Sequence, residues 1–167
     1  MGKIIEFKKF SKKINRDNFN IDESDLDVLP DDDLAYVRKE IEIRLDEVDY
    51  ILDCIYKQIL INDKLIISAD NNSDFSKLTY LRDFNDKLHD VMYFLTNSTY
   101  QDPIIIKINF LEFKYLLGTL QLELDMLNES KDTTRNNPSS DYFKIIEYLC
   151  TSFTNIYFSW KNEIHTD

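Results

Sequence analysis

The chain has 167 residues, with 20 Lys plus Arg against 31 Asp plus Glu and a formal charge of -11, which is the size of one ordinary domain. Hydrophobic residues make up 43% and aromatics 13%, too much apolar surface for a disordered acidic tail, so the chain folds. Only two glycines and three prolines occur, which disfavours sandwiches, dinucleotide-binding folds and P-loop enzymes, all of which spend glycine on turns and phosphate cradles.

Residues 1–16 form a basic arm: Lys3, Lys8, Lys9, Lys12, Lys13 and Arg16 stand against Glu6 alone, a net +5 that leaves -16 on the remainder. An acidic linker over 17–30 follows, and the acidic run extends through Asp31, Asp32 and Asp33. Like charges this dense repel one another and stay solvated unless a partner neutralises them. The rest, 31–167, reads as an all-α, four-helix bundle-like domain.

Pro30 and three aspartates read as a helix start. From there Leu34, Val37, Ile41, Leu45, Val48, Leu52, Ile55 and Ile59 recur every three or four residues, which predicts one long amphipathic helix over 31–67. Ile41 through Ile59 also has coiled-coil seam spacing, so a homodimer is one expectation and an intramolecular bundle helix the other. Ala69 to Ser73 marks a loop. Leu78, Leu81, Phe84 or Asn85, Leu88, Val91 and Leu95 trace a second helix over 73–97. Residues 104–108, Ile-Ile-Ile-Lys-Ile, suit either a strand or a buried first turn. Asn109 three residues before Glu112 is a capping-box pair for a helix over 110–128. That helix carries two apolar stripes, so it is central or gives one face to a second subunit. Tyr142, Ile146, Leu149, Phe153, Ile156, Trp160 and Ile164 share one line of a last helix over 140–164, with Tyr148 and Phe158 pointing away as a candidate exposed aromatic pair for partner binding. No internal repeat at a solenoid period is visible.

The residues that carry chemistry are few. Cys54 and Cys150 lie apart from any metal-type spacing. Of the two histidines, His165 sits near the end of the sequence, and His89 follows Asp86 by one turn without the second Glu-x-x-His turn of a di-iron bundle. Asp70 to Asp74 echoes a calcium loop but has Phe75 at its glycine and Leu81 at its glutamate. The amino terminus lacks a signal-peptide core and no run spans a bilayer. A cytoplasmic location and no membrane partner are therefore expected.

Carboxylates are the richest signal. Glu42, Asp46, Asp49 and Asp53 recur every three or four residues, as do Asp83, Asp86 and Asp90. Facing carboxylates on two bundle helices can hold Mg²⁺ while a substrate's phosphates complete its shell. The Asp46-x-x-Asp49 and Asp83-x-x-Asp86 turns resemble the paired Glu-x-x-Glu and Glu-x-x-Asp turns of all-α nucleotide pyrophosphohydrolases of the MazG and dimeric dUTPase kind, with the shorter Asp in place of Glu. That resemblance implies a Mg²⁺-dependent nucleotide hydrolase. The competing reading is a binding module with no catalytic set and no cofactor. Charges one helical turn apart lie about 5–6 Å from each other, close to the ~6–7 Å between neighbouring phosphates, so an acidic helix can enter a basic groove in place of nucleic acid. Direct nucleic-acid binding is disfavoured by the charge. The expectation is an inhibitor, immunity or anti-defence type protein that docks on a partner's basic surface through Glu42, Asp46, Asp49 and Asp53, aided by Tyr148 and Phe158.

Overall fold

The computed structural model describes residues 14–15, 18–19, 36–98, 101–133 and 140–164. The basic arm and the acidic linker therefore lie outside the described residues, apart from a two-residue antiparallel ladder between β1 (Ile14–Asn15) and β2 (Asn18–Phe19). The body runs β3 (Lys39–Ile43), α1 (Leu45–Asn71), α2 (Phe75–Asn97), β4 (Ile104–Ile108), α3 (Phe110–Thr133) and α4 (Ser140–Ile164). It is a predominantly helical bundle with one small ribbon.

The expected helix over 31–67 is corrected at its start, because residues 39–43 form a strand and the helix begins at Leu45. Ile41 and Ile43 alternate with Glu40 and Glu42, the two-residue period of a half-buried strand. The partner strand comes from β4, which settles residues 104–108 as a strand. Lys39 pairs with Ile108, Ile41 with Ile106 and Ile43 with Ile104 in an antiparallel ladder. Ile41, Ile43, Ile104, Ile106 and Ile108 bury their side chains against the helices. The outer face carries Glu42 and Ile105, and Glu40 meets Lys107 at 3.4 Å. Arg44, extended at φ -68° and ψ 144°, turns the chain into α1.

The helix that begins at Leu45 buries a face displaced from the expected stripe. Val48, Ile51, Cys54, Ile55, Gln58, Ile59 and Asn62 face inward, whereas Leu45 stays exposed. Val48, Ile55 and Ile59 of the proposed coiled-coil seam are thus used inside the molecule, and Ile41 belongs to the ribbon. Helix α3 is the central helix, buried without a break from Tyr115 to Gln121 and in contact with all three others. Its capping box forms as expected: the Glu112 N–H donates to Asn109 Oδ1 at 2.9 Å, and the Asn109 N–H donates to Glu112 Oε2 at 2.9 Å. The inner face of α4 packs its large side chains on α3, with Phe113 centred 5.4 Å from Phe153 and 5.8 Å from Trp160.

A buried polar chain fixes α1 against α2. Gln58 Nε2 donates to Asn62 Oδ1 at 2.8 Å, Asn62 Nδ2 to Asn85 Oδ1 at 2.8 Å, and Asn85 Nδ2 to Asp63 Oδ1 at 2.9 Å. Asn62 has no exposed surface, so Asn62→Ala leaves the buried Gln58 Nε2 donor and the buried Asn85 Oδ1 acceptor without their partner. The expected loss is about 2–3 kcal/mol, read as a lower urea midpoint at unchanged slope; a loss below about 0.5 kcal/mol would show that the chain is not holding the helices in register.

The body is also two βαα halves in the same order. The starts of β3 and β4 (Lys39, Ile104), of α1 and α3 (Leu45, Phe110) and of α2 and α4 (Phe75, Ser140) are each 65 residues apart. Ile41 and Ile106, 65 apart, face each other at the middle of the ladder. Buried positions match at the same offset: Ile51 with Leu116, Ile55 with Leu120, Leu81 with Ile146, Phe84 with Leu149 and Leu88 with Phe153. A repeat does exist, then, as two units too long and too divergent for the solenoid periods that sequence reading tests.

Candidate functional site

The expected carboxylate stripe divides at Arg44. Glu42 stands on the outer face of the ribbon opposite Ile105, so it is not part of a helical row. Asp46, Asp49 and Asp53 do lie along the exposed side of α1. Asp46 pairs with Arg44, and Asp53 with Lys57 at 2.8 Å. Both are exposed pairs of the kind worth about 0–1 kcal/mol, so incoming cations can replace them at small cost. Asp49 is exposed and makes no ion pair among the described residues.

Lys57 also reaches Glu123 of α3 at 3.1 Å, and the Tyr142 hydroxyl of α4 donates to the same carboxylate oxygen at 2.8 Å. Glu123 is buried, and these two donors satisfy it, since a buried carboxylate needs partners. Burial works against the Lys57 ammonium, but its hydrogen bonds to Asp53 and Glu123 outweigh that and hold its pKa above the ordinary value.

Of the two aromatic residues expected to be exposed, one is. Tyr148 is 55% exposed, whereas Phe158 is half-buried, its ring edge-on to Tyr157 at 5.3 Å. The reason is that α4 rests on α3 near Phe158, where Phe110 stacks on Tyr157 at 5.1 Å. Tyr148 and Asp46 meet in a shallow cleft of about 220 Å³ lined also by Arg44, Glu47, Lys144 and Ile145. Its four charged side chains sum to zero, so the cleft favours neither cations nor anions.

Sequence reading missed a row of exposed apolar residues on α1. Leu45, Tyr56, Leu60 and Ile67 fall within about 60° of one line on α1 at 100° per residue, and they are 44%, 59%, 45% and 63% exposed. Phe75, at the start of α2, is 71% exposed. Asp49, Asp53 and Asp63 share that arc of α1. The outer face is therefore apolar and acidic together over about 33 Å, at 1.5 Å per residue from Leu45 to Ile67. For Tyr56, Leu60 and Ile67 the signal was present in the sequence as apolar residues outside the main stripe.

The two aspartate turns of the hydrolase reading are not brought together. The Asn62 to Asn85 bond sets the register of α1 and α2, and Asp49 lies 13 residues before Asn62, about 20 Å away along the axis. Asp83 instead accepts a hydrogen bond from the Tyr115 hydroxyl at 3.0 Å, and Asp86, His89 and Asp90 are exposed. Among the described residues no three His, Cys, Asp or Glu side chains gather as metal donors. The calcium-loop echo is the α1–α2 turn, where Ser73 takes φ 55° and Asp74 caps α2 by accepting from the Lys77 N–H. Among the described residues no helix is long and apolar enough to cross a membrane. Compared with protein-family models, with curated proteins and with solved structures, the chain finds no match.

Proposed function

We propose that this protein is an acidic helical binding module of the inhibitor, immunity or anti-defence type, which docks on a basic surface of a protein partner through the outer face of α1. The observation that carries the reading is the composition of that face. Asp46, Asp49 and Asp53 attract a cationic surface from a distance, and Tyr56, Leu60 and Ile67 offer apolar contacts once it arrives. Glu42 and Tyr148 flank the same end of α1 and extend the surface. Mimicry of a phosphate row rests on the three helical aspartates, since Glu42 lies off the helix.

The test compares the full chain with its Asp46→Asn, Asp49→Asn, Asp53→Asn variant as baits in an extract of the native cell, followed by association kinetics with the purified protein retained. The variant is expected to associate about ten-fold or more slowly at low salt, with a shallower salt dependence. Equal retention and equal kinetics would refute the electrostatic face.

A further inference from the structure

Resting on the docking reading of α1, we propose that the partner element this face receives is a basic amphipathic α-helix of about six turns, laid along α1 as one more helix of the bundle. The outward residues of α1 repeat on an 11-residue period: Leu45, Tyr56 and Ile67 stand 11 positions apart, as do Asp49 and Leu60, and Leu52 and Asp63. Eleven residues make three turns plus about 20° at 100° per residue. The line therefore runs almost parallel to the helix axis for the ~33 Å from Leu45 to Ile67, and a straight element can follow all of it. The matching positions of α3, 65 residues on, are closed: Phe110 and Gln121 are each 4% exposed, against 44% for Leu45 and 59% for Tyr56. In this bundle the same face of the same unit is a packing face.

Charge and backbone chemistry choose the occupant. Within about 60° of that line α1 carries Asp49, Asp53, Asp63 and Asp70 and no Lys, Arg or His, so the residues that belong opposite are cations set beside an apolar row. The N–H and C=O groups of α1 between its first and last turns are spent inside the helix. An extended segment lying on it would leave its own inward N–H and C=O groups unpaired once water left the contact. A helix brings those bonds with it. A second copy of this chain fits poorly: antiparallel α1 helices meeting at Tyr56 set Asp49 of one molecule against Asp63 of the other, and parallel ones set each aspartate against itself, at a like-charge cost either way.

The probe is a designed peptide of about 22 residues, made of Leu and Lys on an amphipathic helical period and compared with one of the same composition in strict Leu-Lys alternation, the period of a strand. Isotope-labelled full-length protein is titrated with each at low salt and followed by its amide chemical shifts. The helical peptide is expected to move the amides of Asp49, Tyr56, Leu60 and Ile67, to gain helicity as it binds, and to bind about ten-fold or more tightly than the alternating one. Its affinity is expected to fall several-fold in Tyr56→Ser, Leu60→Ser, which changes exposed positions, leaves every carboxylate in place and should keep the protein's own circular dichroism. No binding of the helical peptide at millimolar concentration, equal affinity for the two peptides, shifts centred on Asp83, Asp86 and Asp90, an affinity unmoved by the serine variant, or a protein already dimeric through α1 would each overturn the proposal. Retention of a native partner that depends on Asp46, Asp49 and Asp53 survives all of these outcomes, so the two readings fail separately.

Discussion

Replacing Arg38 by alanine is expected to cost about 3 kcal/mol of stability. Its guanidinium donates through Nη1 to Glu112 Oε2 at 3.0 Å and through Nη2 to Oε1 at 2.9 Å, and Nη1 also reaches the Lys107 carbonyl at 2.9 Å. Glu112 is 1% exposed, so losing the cation leaves a carboxylate charge with almost no water to solvate it. The guanidinium also lies 4.9 Å from the centre of the Phe94 ring, and thus ties the start of β3, the end of α2 and the first turn of α3 at one point. Urea unfolding measures the loss, and thermal unfolding should show a fall of about 10 °C. Arg38→Ala, Glu112→Gln is expected to recover much of it, because a neutral amide can still accept from the Asn109 N–H. A cost below about 0.5 kcal/mol for Arg38→Ala would show that Glu112 is satisfied without it.

The second large effect is a steep loss of stability in alkali. Burial pushes the Cys54 thiol up to about 12, against a smaller opposing hydrogen bond with Tyr142. In the unfolded chain a thiol ionises near 8.5. Between those values the unfolded state has released a proton that the folded state keeps, so stability is full below about pH 8.5 and falls as pH rises toward 12, by about 1.4 kcal/mol per pH unit for this group. Burial raises Cys150, Tyr80 and Tyr115 in the same direction. Lys57, with its raised pKa, likewise loses its contribution as pH climbs through the folded value. Urea midpoints from pH 7 to 11 should therefore drop progressively, and Cys54→Ala should show a shallower slope above pH 9. Parallel curves for the two proteins would mean that Cys54 is reached by solvent in the native state.

Much of the helical architecture was legible because three of the four helices follow an uninterrupted 3.6-residue pattern. The Asn109 to Glu112 cap, the central α3 and the inner row of α4 are local statements, and the local sequence decides them. The start of α1 was not legible. Ile41 fits both the helical stripe and the strand alternation with Ile43, and the choice was made by Ile104, Ile106 and Ile108, more than 60 positions away. The same stripe hid the candidate surface, since it was drawn through Leu45, which is the exposed first residue of α1, while the buried face centres on Ile51, Ile55 and Asn62. Asp46, Asp49 and Asp53 were found by spacing. Tyr56, Leu60 and Ile67 were not, because periodicity names a buried face and does not say what the opposite face is left holding. The duplicated halves escaped for a related reason: between them the matched positions keep burial and size, as in Phe84 with Leu149, far more than residue identity.

Every rung of the β3–β4 ladder joins residues more than 60 positions apart, whereas α1 with α2 and α3 with α4 each fold back through a short connection. The entropic cost of closing a long loop therefore falls on the ribbon, and the two hairpins can gain contacts before it closes. Neither strand has a partner within its own half, so the ribbon is the seam at which two early-forming pieces commit to one another. Refolding is accordingly expected to show helical signal first, with the burial of Ile41 and Ile106 as the slow event that completes the molecule.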